Sequence, residues 1–134
     1  MSKSHPDPKT RILLTDTPDQ ISNNIKSAVT DSTSHISYEP ESRPGVANLL
    51  SIWAGLDEQL RSPEELASEC SDAAQLKERL KEVLIEHLDP IRKEFERLSA
   101  DQGYLAQVEK EGAGKAEETA AKTLARVKTV MGLQ

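Results

Sequence analysis

The chain has 134 residues, a mass of 14.8 kDa and a formal net charge of -6. Ile, Leu, Val and Phe supply 29 residues and Ala another 13, while aromatics are only 3%; this supports an aliphatic, Ala-rich core and argues against a sandwich or barrel, whose strands favour β-branched and aromatic side chains. The acidic balance excludes non-specific nucleic-acid binding over the whole surface, no apolar run reaches the roughly 20 residues that span a bilayer, and the single Cys70 excludes an internal disulfide or a Cys-cluster zinc site.

Residues 1–10, MSKSHPDPKT, are polar and carry no apolar h-region, so no signal peptide is expected. Pro6 and Pro8 disfavour a helix there and predict a loop. Arg11-Ile12-Leu13-Leu14 is a short extended candidate. Thr17-Pro18-Asp19-Gln20 marks a helix start: Thr17 caps, Pro18 fits the first turn and Gln20 reaches back. Ile21, Ile25, Ala28 and Val29 then share one face, and the helix is expected to stop near Asp31-Ser32-Thr33-Ser34. A loop over 35–45 leads to a second helix opened by Pro44 and Gly45, with Val46, Leu49, Leu50, Trp53 and Leu56 inward. Ser62-Pro63-Glu64-Glu65 is a second capping box, before a short helix carrying Leu66.

The longest helical period begins near Ser71 or Asp72 and runs through Leu76, Leu80, Val83, Leu84, Leu88, Ile91, Phe95 and Leu98. Pro90 lacks the donor for the Glu86 carbonyl, which predicts a kink or a break into two helices. A short helix over Asp101–Val108, punctuation at Gly112 and Gly114, and a last helix over Lys115–Met131 follow. The expected fold is all-α: a small helical bundle over 17–134 behind an extended segment over 1–16. Heptads are not sustained, which argues against a coiled coil.

The charge is uneven. Residues 51–114 carry 8 basic and 15 acidic side chains, whereas residues 115–134 carry 4 basic and 2 acidic. Lys115, Lys122 and Arg126 are spaced to share a face of the last helix and give it a positive excess; cations near a helix C-terminus also suit its dipole. His87 at the edge of the apolar stripe reads as a half-buried, hydrogen-bonded core histidine. Trp53 reads as a core anchor with base stacking the alternative, Cys70 as a small buried residue, and Asp31 as a loop brace.

At the amino terminus, Ser2-Lys3-Ser4 places a cation between two hydroxyls on a non-helical backbone, which can close on a phosphate chain. MSKSHPDP resembles the KMSKS loop of class I aminoacyl-tRNA synthetases, without that loop's first Lys. The strings Ala28-Val29-Thr30-Asp31-Ser32 and Arg43-Pro44-Gly45-Val46-Ala47-Asn48-Leu49-Leu50 follow in the order found in bacterial and mitochondrial-type tryptophanyl-tRNA synthetases. Glu111-Gly112-Ala113-Gly114-Lys115-Ala116 and Met131-Gly132-Leu133 complete a resemblance that covers the whole chain.

The resemblance implies the carboxy-terminal part of a tryptophan–tRNA ligase, beginning inside the signature loop and lacking the family's Rossmann domain. It implies ATP as substrate with Mg2+, no protein-bound metal, and tRNA-Trp as partner, with tryptophan bound only through the missing domain. Lys3 would be the catalytic residue, and Met1, Ser2, Lys3 and Ser4 would hold ATP. The helices after residue 44 would form the anticodon-binding region, with Lys115, Lys122 and Arg126 meeting tRNA phosphates. The intact enzyme would be a homodimer joined largely through the missing domain, in the mitochondrial matrix or alternatively the bacterial cytoplasm, with no membrane contact. The chain alone is expected to be inactive. The alternative reading is a non-catalytic helical module that docks tRNA or another protein.

Overall fold

The computed structural model describes residues 7–133. It contains five α-helices and, among the described residues, no strand: α1 (Pro18–Ser27), α2 (Pro44–Leu56), α3 (Pro63–Ser68), α4 (Ala73–Ala100) and α5 (Gln102–Met131), preceded by one 3-10 turn at Pro8–Thr10. Among the described residues, no helix is long and apolar enough to cross a membrane. The chain divides into two compact units, Met1–Lys93 and Glu94–Gln134.

The helix starts follow their predicted chemistry. Thr17 caps α1 by accepting the Gln20 N–H at 3.3 Å, while the Gln20 carboxamide oxygen accepts the Thr17 N–H at 2.8 Å. Ser62 and Glu65 repeat this reciprocal box at α3. Each box satisfies donors that a helix end otherwise leaves open. Asp72 supplies a carboxylate to the Gln75 N–H at the start of α4, and Asp101 does the same for Tyr104 at α5.

The core of the first unit is aliphatic. Ile21 and Ile25 of α1, Val46, Leu49, Leu50 and Trp53 of α2, and Leu66 of α3 are buried with Leu76, Leu80, Leu84 and Leu88 of α4. The four leucines of α4 recur every fourth residue, which keeps them on one face of a 3.6-residue helix. Cys70 is buried and free as expected, and burial raises its thiol pKa. His87 is half-buried, with Nδ1 placed 2.9 Å from the Val83 carbonyl to which it donates.

Arg11–Leu14 lies outside helix and strand, and the Asp16 carboxylate accepts the Leu13 N–H at 2.9 Å to close a turn. Three expectations need correction. Helix α1 ends at Ser27, before the expected Asp31, because Ala28 is already extended at ψ 131°. Pro90 does not divide α4, which is a single 28-residue helix; the lost donor costs one rung of a ladder that the buried leucines hold elsewhere. Gly112 and Gly114 do not interrupt α5, which is one 30-residue helix. Glycine lowers helix propensity by about 1 kcal/mol but blocks nothing. The stop comes at Gly132, at φ 69°, where the Leu133 N–H reaches back to the Lys128 carbonyl at 2.9 Å.

Candidate functional site

Two sequence strings, Ala28–Ser32 and Arg43–Leu50, meet in the first unit, at the junction between α1 and α2. The last turn of α1 leaves carbonyls with no helical partner. Lys77 of α4 supplies one: its Nζ donates to the Ala28 carbonyl at 2.7 Å and lies 3.4 Å from that of Lys26. A cation at a helix C-terminus also complements the dipole. This places the Ala28-Val29-Thr30 backbone directly against the first turn of α2. A Cβ on Gly45 would lie 2.3 Å from the Val29 carbonyl oxygen, so the approach requires glycine.

Arg43 locks the same junction from the other side. It is only 8% exposed. Its guanidinium is bidentate on Asp31, with Nε to Oδ2 and Nη2 to Oδ1 both at 2.8 Å. Nη1 donates to the His35 carbonyl at 2.9 Å and to the Ser37 hydroxyl at 2.7 Å. Ser37 and Ser42 in turn donate to Glu39 at 2.8 and 2.6 Å. Asp31 also accepts the Thr33 N–H at 2.9 Å. Nearly every donor of a buried planar cation is thus satisfied, the condition under which burying one is tolerable.

These bonds shift the titrations. The side-chain hydrogen bonds from Arg43, then the backbone bond from Thr33, hold the Asp31 carboxyl well below the ordinary carboxylate range, and Asp31 raises Arg43. The serine hydroxyls lower Glu39. A folded-state pKa below the unfolded one contributes stability above the unfolded value and loses it as pH falls through the folded value. The chain should therefore lose stability progressively below about pH 4. Urea midpoints measured across the acid range should fall less steeply for Asp31→Asn than for the unchanged protein.

The junction also seats the segment that follows the signature string. Asn24 of α1 donates its side-chain amide to the Arg11 carbonyl at 3.1 Å. Beside that bond is a cavity of about 300 Å³, lined among others by Thr10, Ile12, Asn24, Val29, Asn48 and Ile52. Residues 7–12 thus rest on α1 and α2, directly downstream of the four candidate phosphate-binding residues. Met1, Ser2, Lys3 and Ser4 themselves lie outside the described residues. Among the described residues, no group of His, Cys, Asp and Glu could hold a metal ion.

Lys115, Lys122 and Arg126 lie on α5 in the second unit, all exposed. Lys122 is paired with Glu118 at 2.6 Å, so part of its charge is offset within the helix.

The family model of class I tRNA synthetases for tryptophan and tyrosine matches residues 1–89, which include the signature string and both halves of the junction. The chain belongs to that family. A tryptophan–tRNA ligase of Nostoc sp. is 40% identical over 98% of this chain and 39% of its own length. The mitochondrial tryptophan–tRNA ligase of Saccharomyces cerevisiae is also 40% identical, over 98% of this chain and 35% of its own length. The crystal structure of tryptophanyl-tRNA synthetase from Mycoplasma pneumoniae superposes with a TM-score of 0.72 and 28% identity, covering all of this chain and 41% of that one. The chain spans about two-fifths of the length of the relatives it matches.

Within the family frame, the resemblance carried by Ala28–Ser32 and Arg43–Leu50 has a physical content. Those residues are the two sides of one locked turn. Sequence reading singled out both strings but did not join them, because a pair 12 residues apart has no helical or strand period to reveal it. It also missed Lys77, an exposed-looking cation on α4, whose partner lies 49 residues away.

Proposed function

We propose that this chain acts as the part of a tryptophan–tRNA ligase that holds the ATP phosphates and docks the tRNA anticodon arm. The observation that carries the reading is the 40% identity to tryptophan–tRNA ligases along nearly the whole chain. In this role Lys3 is the catalytic residue. Its ammonium offsets charge as it develops on the triphosphate while tryptophan attacks the α-phosphate and pyrophosphate leaves. Ser2, Ser4 and the backbone at Met1 position ATP, with Mg2+ accompanying the phosphates. The locked junction gives this loop a rigid base, since residues 7–12 rest on it.

Adenine and tryptophan bind outside this chain, on a Rossmann domain. The activated residue then passes to tRNA-Trp, whose phosphates meet Lys115, Lys122 and Arg126. The intact enzyme is a homodimer of the mitochondrial matrix in this reading.

The test is tryptophan-dependent ATP–pyrophosphate exchange. The purified chain alone should give none, because holding reactants in place supplies roughly 7–11 kcal/mol of such a barrier. Adding the Rossmann part of a tryptophan–tRNA ligase in trans should restore exchange, and Lys3→Ala should lower it about 100-fold or more. Equal exchange with Lys3→Ala would end the assignment. In a parallel gel shift with tRNA-Trp, neutralising Lys122 and Arg126 should weaken binding and flatten its salt dependence.

A further inference from the structure

Residues 7–13 carry the chain from the signature string into the body of the first unit, with one 3-10 turn at Pro8–Thr10. That turn is closed locally. The Asp7 carboxylate accepts the Lys9 N–H at 2.9 Å, and the Asp7 carbonyl accepts the Thr10 hydroxyl at 2.9 Å. Such bonds fix the shape of a turn but not where it sits, because donor and acceptor move together.

Its seat depends on contacts with other elements. Ile12 packs, half-buried, against the aliphatic core. Apolar burial is non-directional, so it holds the segment near α1 and α2 without setting its rotation. Asn24 of α1 sets it: Nδ2 donates to the Arg11 carbonyl, 13 residues back in the chain, at 3.1 Å. The bond is half-buried, so water competes for it less than for an exposed one. Close packing does not take over its task. The cavity of about 300 Å³ lies between the segment and the helices, with Lys9, Thr10 and Arg11 on one side and Asn24, Asn48 and Ile52 on the other. A segment that borders a cavity keeps its place through its anchor points.

The residue type agrees with this role. Position 24 lies inside α1, where Ala, Lys or Glu would favour the helix more than Asn does. Asn supplies instead a donor of fixed reach on a short side chain. Lys3 precedes Asp7 by four residues, at most about 14 Å of extended chain. A shift at Arg11 is therefore passed toward the Lys3 ammonium, and a misplacement of about 1 Å can cost about 100-fold in rate.

We propose that Asn24 is a positioning residue for tryptophan activation: by holding the Arg11 carbonyl it fixes the base of the loop that carries Lys3. This role rests on the reading of Lys3 given above. The test uses the full chain with the Rossmann part added in trans and reads tryptophan-dependent ATP–pyrophosphate exchange. Asn24→Ala favours the helix, and Asn24→Asp keeps the shape without the donor. Each should lower kcat about tenfold and leave KM for tryptophan unchanged, since tryptophan binds outside this chain in that reading. Asn23→Ala, at the exposed neighbouring position, should change neither. Lys3→Ala combined with Asn24→Ala should be no slower than Lys3→Ala alone, because nothing is left to position. A merely structural role would multiply the two losses, and that result would overturn the proposal. So would full kcat in both Asn24 variants beside a slow Lys3→Ala, which leaves the reading of Lys3 intact. A silent Lys3→Ala would end that reading and this role together.

Discussion

Gly45→Ala should be among the most damaging single-atom additions this chain can receive. The new methyl would lie 2.3 Å from the Val29 carbonyl oxygen and 3.3 Å from its carbon. Both are backbone atoms, so no side chain can swing aside. The strand of chain that would have to move is held on both sides. Lys77 fixes the Ala28 carbonyl, and Arg43 fixes Asp31. The cost should reach about 3 kcal/mol, at the upper end of overpacking. Gly55 is the matched control. It lies in the same helix, with nothing within 4 Å of its added Cβ. Gly55→Ala should gain up to about 1 kcal/mol from helix propensity. Chemical denaturation followed by Trp53 fluorescence measures both; equal effects would show that the contact does not decide the role of Gly45.

Leu80→Ala should cost about 2–5 kcal/mol. Leu80 is completely buried, at the centre of the α4 face that meets α1 to α3. Truncation removes methyls from a packed interior and leaves a cavity that helices pinned by capping boxes cannot collapse around. Phe95 gives the contrast. It continues the same apolar period along α4 but is 54% exposed. Phe95→Ala in the isolated chain should change stability by no more than about 0.5 kcal/mol. A large loss at Phe95 would mean that the core continues past Leu88.

That contrast also marks where sequence reading reached its limit. The period of α4 is continuous from Leu76 to Leu98, and nothing in it distinguishes Leu88 from Ile91. Burial does, because it depends on which elements stand opposite. The capping boxes at Thr17 and Ser62 were legible because their partners lie three residues apart, within one turn. The extents of α4 and α5 were not, because Pro90, Gly112 and Gly114 impose local costs that a long hydrogen-bonded ladder absorbs.

At the site, the local strings Ala28–Ser32 and Arg43–Leu50 were visible as specific patterns, and the loop-bracing reading of Asp31 agrees with its contacts. Their union was hidden. Residue order alone determined the all-α class, the helix starts and the family resemblance, because each rests on chemistry between near neighbours in the chain. Only the folded arrangement decided that Arg43 closes on Asp31, that Gly45 must lack a side chain, and that Lys77 caps a helix it does not belong to. Those contacts join residues 12 to 49 positions apart, and such pairings exist only once the packing of apolar faces has brought the backbones together.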